Sequence, residues 1–283
     1  MKLIVDSGST KADWIAIDDQ GKVLFTTQTL GLNPEILEGD QIIARIDDRF
    51  DLQQSKKTAT HLFFYGAGCG TDRMKITLKE VFQKYFTNAE IVVEEDTYAA
   101  VYATTPKDQK AIVCILGTGS NCSYFDGSKL HQKVQSLGYI VMDDASGNVF
   151  GKELIRKYYF NKMPKDLAVE FEKEFNVDPD FIKSKLYKEE NPNAYLATFA
   201  KFLIQHKDTE FCQKIIRKGM KSFIKNYVMQ YDNCHEVPVH FVGSIAFYLK
   251  DELQHAFDKY NLELGNVLRR PIDGLISFHV ANQ

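Results

Sequence analysis

The sequence predicts an α/β protein built as two similar halves. Three observations carry that prediction. The chain opens on three strand-like runs, "KLIVD", "DWIAID" and "KVLFTTQT", and then alternates helical and extended patterns. The same order restarts at Ala111. Both openings contain a glycine–hydroxyl turn after an apolar run, "VDSGST" and "ILGTGS".

The elements follow in order. Asp19-Gln20-Gly21 supplies hairpin chemistry between the second and third strands. Ile42, Ile43, Ile46 and Phe50 stand at helical spacing and predict a helix over Glu35–Phe50. A strand "HLFFYG", a turn "GAGCG", a helix around "MKITLKEVFQKYF" and a strand "IVVEED" complete the first half. The polar stretch Thr104-Thr105-Pro106-Lys107-Asp108 marks a boundary, giving domains 1–106 and 107–271. From Ala111 to Val134 the text reads strand, small-residue turn, strand, Asp-Gly turn, strand. Gly147 to Asp232 is mostly helical and predicts cover for the second sheet. "VPVHFVG" is then a strand, and "SIAFYLKDELQHAF" a helix with Ser244 as its N-cap.

Composition excludes several function classes. With 283 residues there is room for two cores. A net charge of -3 gives no global basic field to hold nucleic acid or an anionic membrane. The longest apolar runs fall far short of the ~20 residues a membrane span needs. "MKLIVDSGST" turns polar too early for a signal peptide, which predicts a cytoplasmic location. Cys69, Cys114, Cys122, Cys212 and Cys234 show no C-x-x-C spacing and read as buried free thiols.

The two small turns carry chemistry. Glycine lets backbone amides approach a phosphate without a Cβ in the way, and Ser or Thr adds hydroxyl donors. Asp6 at the strand end would hold Mg²⁺ through water, since magnesium keeps much of its hydration shell. One such turn reads equally as a tight hairpin whose side chains cap backbone amides. Two of them favour phosphate. The P-loop pattern does not fit "GNVFGKE" (Gly147 to Glu153), and no G-x-G-x-x-G opens a helix after a strand. Trp14 alternates inward and reads as core, and His235-Glu236 reads as a surface loop.

"DSGST" followed by a hairpin, "GTGSNC" at Gly117 to Cys122 and "FVGSIAFYL" at Phe241 to Leu249 resemble the phosphate-1, phosphate-2 and adenosine motifs of the sugar kinase/Hsp70/actin superfamily. Their wording and order are similar to the N-acetylglucosamine kinase family, in the BadF/BadG-type ATPase group. The match runs from Leu3 to the terminal helix beginning near Pro271. It implies two ribonuclease-H-like (actin-like ATPase) lobes with a cleft between them, the second enlarged by helices. It also implies that the helix 272–283 completes the first lobe. ATP and Mg²⁺ are the implied cofactors, with Ser9, Thr10, Lys11, Gly117, Thr118, Gly119, Gly243 and Ser244 as nucleotide positions. Asn33, Gly68, Ser120, Asn121, Gly138 and Asp143 are the implied sugar positions. A small-molecule sugar is the expected partner, and the resemblance allows a homodimer.

Phosphoryl transfer needs a group to accept the hydroxyl proton. Asp96 in "IVVEEDTYAA" stands at a strand end where a helix begins, the place of the family's base. It reads equally as the N-cap of that helix. Leu137 and Tyr139 stand where the family shows Gly and Trp, and Ala145 replaces Gly. That departure lies in the sugar-facing region and bears on substrate identity. Two functions follow: transfer of the γ-phosphoryl group to the 6-hydroxyl of an amino sugar, N-acetylglucosamine first, or an ATPase coupled to a partner protein, as in dehydratase activators.

Overall fold

The computed structural model describes residues 1–8, 11–106 and 108–281. The chain divides into two compact units, Met1–Lys107 with Arg270–Gln283, and Asp108–Arg269. Each holds one five-stranded mixed sheet.

The first sheet comprises β1 (Lys2–Ser7), β2 (Lys11–Ile17), β3 (Val23–Leu30), β4 (His61–Gly66) and β5 (Glu90–Glu95). They lie in the order β3-β2-β1-β4-β5. The hairpins β1–β2 and β2–β3 are antiparallel, whereas β4 and β5 run parallel to β1. Alternation along β1 divides the core. Leu3 and Val5 join Trp14, Phe64, Phe82 and Ile46 on one face. Ile4 meets Ile15, Tyr65, Ala99, Ile272 and Leu275 on the other. Helices Asp96–Thr104 and Ile272–Ala281 cover that second face. They approach closely, because a Cβ on Gly274 would stand 2.5 Å from the Ala103 carbonyl oxygen. His279 lies buried there, with Nε2 2.9 Å from the Tyr65 hydroxyl.

The second sheet comprises β6 (Ala111–Leu116), β7 (Ser120–Phe125), β8 (Leu130–His131), β9 (Val239–Val242) and β10 (Leu264–Leu268). Its order, β10-β9-β6-β7-β8, repeats the first topology strand for strand, with the same senses. Ile112, Cys114, Leu116 and Phe241 pack one face against Phe150, Phe199, Phe202, Met220, Phe223 and Phe257 of the helices. All five cysteines are buried and free.

Three boundaries differ from the sequence expectation. The helix expected over Glu35–Phe50 begins at Gly39, because Glu38 and Gln41 form a reciprocal capping box. It ends at Asp47, and a second helix covers Phe50–Ser55. Asp96 is not an N-cap: the helix begins on Asp96 itself, and Glu95 takes the cap position without a side-chain cap bond. Ser244 likewise opens its helix as the first residue, after Gly243 in the cap position. Among the described residues, no helix is long and apolar enough to cross a membrane.

Candidate active site

In the first unit the parallel strands β1, β4 and β5 bring their carboxyl ends to one edge, where ligands of open α/β sheets gather. Asp6 sits one residue from the end of β1, and Asp96 follows β5 directly. Both carboxyls are half-buried. Burial, then the charges of Asp96 and Asp13, push Asp6 up to about 7; Lys11 and Arg270 pull the other way. Burial and the Glu95 charge push Asp96 up to about 6, against the pull of the Thr97 amide. Among the described residues no group of three or more His, Cys, Asp or Glu is placed to hold a metal ion directly, so a divalent cation at this edge would be one that keeps most of its water.

Ser7 braces the edge. Its side-chain oxygen accepts from Leu32 N–H at 3.0 Å and its carbonyl from Ala67 N–H at 2.9 Å. The first bond fixes the loop that carries Asn33, and the second fixes the turn that carries Gly68. Asn33 and Gly68 are thereby brought together: a Cβ on Gly68 would stand 2.0 Å from Asn33 Oδ1. Gly68 also has φ +83, so glycine is required twice over. Asn33 Oδ1 accepts from Glu35 N–H at 2.9 Å, leaving its amide nitrogen available.

Asp13 faces Asp6 across the β1–β2 register. It is buried, accepting from Gln28 Nε2 at 2.5 Å and from Lys11 Nζ at 3.0 Å. The otherwise exposed Lys11 is thus tethered beside Asp6. Ser9 and Thr10 lie outside the described residues.

In the second unit the turn Gly117–Gly119 joins β6 to β7. Its carbonyls are all engaged. Gly119 O accepts from Gly117 N–H at 3.0 Å, Gly117 O from Gly147 N–H at 2.8 Å, and Thr118 O from Asn148 N–H at 3.1 Å. The amides of Thr118 and Gly119 donate to no described group. Such a turn offers N–H dipoles to an anion with its carbonyl oxygens held away. Gly243 packs directly against it: a Cβ there would meet Leu116 O at 2.2 Å and Gly117 N at 3.1 Å, and its φ is +125. Gly243 and Ser244 therefore lie at the base of the same turn.

Asp143, with φ 72, is buried beside the turn, its Oδ2 2.8 Å from where a Gly119 Cβ would stand. Its N–H donates to the Tyr227 hydroxyl at 3.2 Å. Ser120 Oγ is buried beside that hydroxyl. Asn121 points to the opposite face of β7, where Oδ1 accepts from Gln132 Nε2 at 2.9 Å. Gly138, whose carbonyl accepts from Met142 N–H at 2.9 Å, lies in a loop whose Leu137, Ile140 and Val141 are exposed. So the structure groups Gly117, Thr118, Gly119, Ser120, Asp143, Gly243 and Ser244, and turns the Asn121 side chain away from them. Asp144 accepts from Ser222 Oγ at 3.0 Å and Asn226 Nδ2 at 2.8 Å, so it anchors the loop.

The sequence reading missed Asp13, Ser7's bracing role, Asn148 and Tyr227. Only Ser7 and Asp13 had a local signal, lying within and just beyond "DSGST".

No family model matches the chain. A solved structure of a candidate N-acetylglucosamine kinase from Porphyromonas gingivalis is 34% identical, covers 100% of this chain and 99% of its own, and superposes with a TM-score of 0.93. A second candidate N-acetylglucosamine kinase, from Chromobacterium violaceum, is 15% identical over 98% of each chain, with a TM-score of 0.72. A ROK family glucokinase from Streptomyces griseus, solved with glucose and AMPPNP, is 15% identical over 98% of this chain and 97% of its own, with a TM-score of 0.61. The last two likenesses concern the fold alone.

Proposed function

This chain belongs to the N-acetylglucosamine kinase family of the actin-like ATPase sugar kinases, and we propose that it transfers the γ-phosphoryl group of ATP to the 6-hydroxyl of an amino sugar, N-acetylglucosamine before others. The observation that carries the reading is Asp96, a half-buried carboxyl at a strand end with its pKa raised to about 6. A general base near the working pH combines ionisation with proton affinity.

Each unit contributes its own residues. In the first, Asp96 accepts the proton of the sugar hydroxyl and Asn33, seated on Gly68, donates to a second hydroxyl. Asp6 would hold Mg²⁺, and Ser9, Thr10 and Lys11 would donate to phosphate. When bound, Mg²⁺ neutralises charge on the transferring phosphoryl group. In the second unit, the Thr118 and Gly119 amides take phosphate oxygens, Gly243 and Ser244 underlie the nucleoside, and Asp143 and Ser120 take sugar hydroxyls. Asn121 is held on the other face of β7 and takes no part here; Gly138 enters the proposal only through its backbone. The reading requires a compartment that supplies ATP, and a cytoplasmic location is the one proposed.

The test is ADP release with ATP·Mg²⁺ and a panel of N-acetylglucosamine, glucosamine, N-acetylmuramic acid and glucose, beside a sugar-free control. Release that depends on N-acetylglucosamine is expected. Equal release with and without sugar would instead mark an ATPase coupled to a partner protein.

A further inference from the structure

Asn148 takes no part in the steps above, yet it touches both ligand-facing elements of the second unit. It is the second residue of the helix Gly147–Tyr159 and is 1% exposed. Its side-chain nitrogen has two hydrogens, and both are committed. One goes to Thr118 O at 2.7 Å, the other to Asp143 Oδ2 at 2.9 Å. Its backbone N–H reaches the same Thr118 carbonyl at 3.1 Å.

The orientation of this carboxamide is decided by chemistry. Both neighbours are acceptors, so a flipped side chain would set oxygen against carbonyl and carboxylate. The remaining Oδ1 is buried with no partner. An unpaired buried acceptor is unfavourable. Its retention means that the two donated bonds fix the side chain.

We infer that Asn148 is a positioning residue that locks the Gly117–Gly119 turn and Asp143 into one geometry, so that a single side chain sets the site for both substrates. The lock acts on two elements that need holding. Thr118 O must face inward if the neighbouring amides are to face a phosphate. Asp143 occupies the left-handed region, which a non-glycine residue keeps only when its surroundings fix it. The identity of the two ligands rests on the kinase reading; the lock itself rests on the hydrogen bonds.

The experiment has two arms. In the ligand-free protein, amide hydrogen exchange is followed over residues 116–121 in wild type and Asn148→Ala. Exchange about tenfold faster in the variant is expected. In the kinetic arm, Asn148→Ala should raise the KM for ATP and the KM for sugar, each about tenfold, as expected for a lost hydrogen bond to a charged or ligand-orienting group. In an Asp143→Ala background the same change should still raise the KM for ATP but leave the KM for sugar where Asp143→Ala put it. Unchanged exchange overturns the lock. So does a sugar effect that adds in full to that of Asp143→Ala. If wild type releases no sugar-dependent ADP, the kinase reading fails and the exchange arm alone decides the lock. Should Asn148→Ala not fold, Asn148→Ser keeps a shorter donor and should show the same pattern at reduced size.

Discussion

Asp6 and Asp96 show how a single residue can be costly to the fold and necessary for chemistry. Both are held protonated far above the ordinary carboxylate range by burial and by neighbouring acids. Asp96→Asn removes one of those acids without changing shape. Turnover should fall by about 10²–10⁴-fold, the usual contribution of a general base, while nucleotide affinity is kept and the melting temperature rises. Steady-state kinetics beside thermal melts check this, and undiminished turnover removes the assignment. Gly68→Ala acts differently, since its Cβ would occupy the space of Asn33 Oδ1 and its φ is +83. The KM for sugar should rise several-fold with the KM for ATP unmoved, and stability should fall by about 1–2 kcal/mol. Residues of this kind were legible in the sequence because acids at strand ends and glycines in turns are local signals. Tyr227 was not, because it reaches Asp143 from 84 positions away, and one sequence does not report such a pairing.

Elements were more legible than their ends. The three-strand opening and its restart at Ala111 predicted two similarly built halves, and both sheets have that order. Period-two and helical spacings depend on which face is buried, and this survives in the sequence of each segment. Boundaries depend on caps. Glu38 with Gln41 moved one helix start to Gly39, and nothing in the apolar spacing recorded it. Helix crossings are still less visible. The helix Gly147–Tyr159 meets the helix Pro192–Thr198 at Gly151, where an added Cβ would lie 1.8 Å from the Leu196 carbonyl oxygen. A backbone oxygen cannot rotate aside as a side chain does. Gly151→Ala should therefore destabilise the protein by about 1–3 kcal/mol through overpacking, although alanine is the better helix former. Urea unfolding measures it. A more stable variant would mean that the two helices are free to separate there.

At the scale of the whole molecule, four buried or half-buried groups among the described residues have their pKa values shifted to between about 4 and about 7, and their signs oppose. His240 in the second unit and His279 in the first are both lowered by burial from 6.5 to about 4. Their contribution is complete above pH 6.5. As pH falls from 6.5 toward 4 the unfolded chain binds protons that the folded histidines refuse, so stability drops by about 1.4 kcal/mol per pH unit for each. Asp6 and Asp96 are raised from 3.8 to about 7 and about 6. Between those limits the folded state binds the protons, so their contribution grows as pH falls and is lost as pH rises through 6 to 7. From about pH 6 down to about 4 the two pairs cancel, and wild type without Mg²⁺ should be nearly flat. Asp6→Asn/Asp96→Asn removes only the acid-stabilised pair. That variant should be more stable than wild type at pH 7.5, then lose up to about 2.7 kcal/mol per pH unit on acidification. Urea midpoints at pH 7.5, 6.0 and 4.5 in chelator measure both slopes. If the variant declines no faster than wild type, the carboxyls at the β1 and β5 ends stay ionised down to the ordinary carboxylate range in the folded protein, and Asp96 is not the raised-pKa base proposed above.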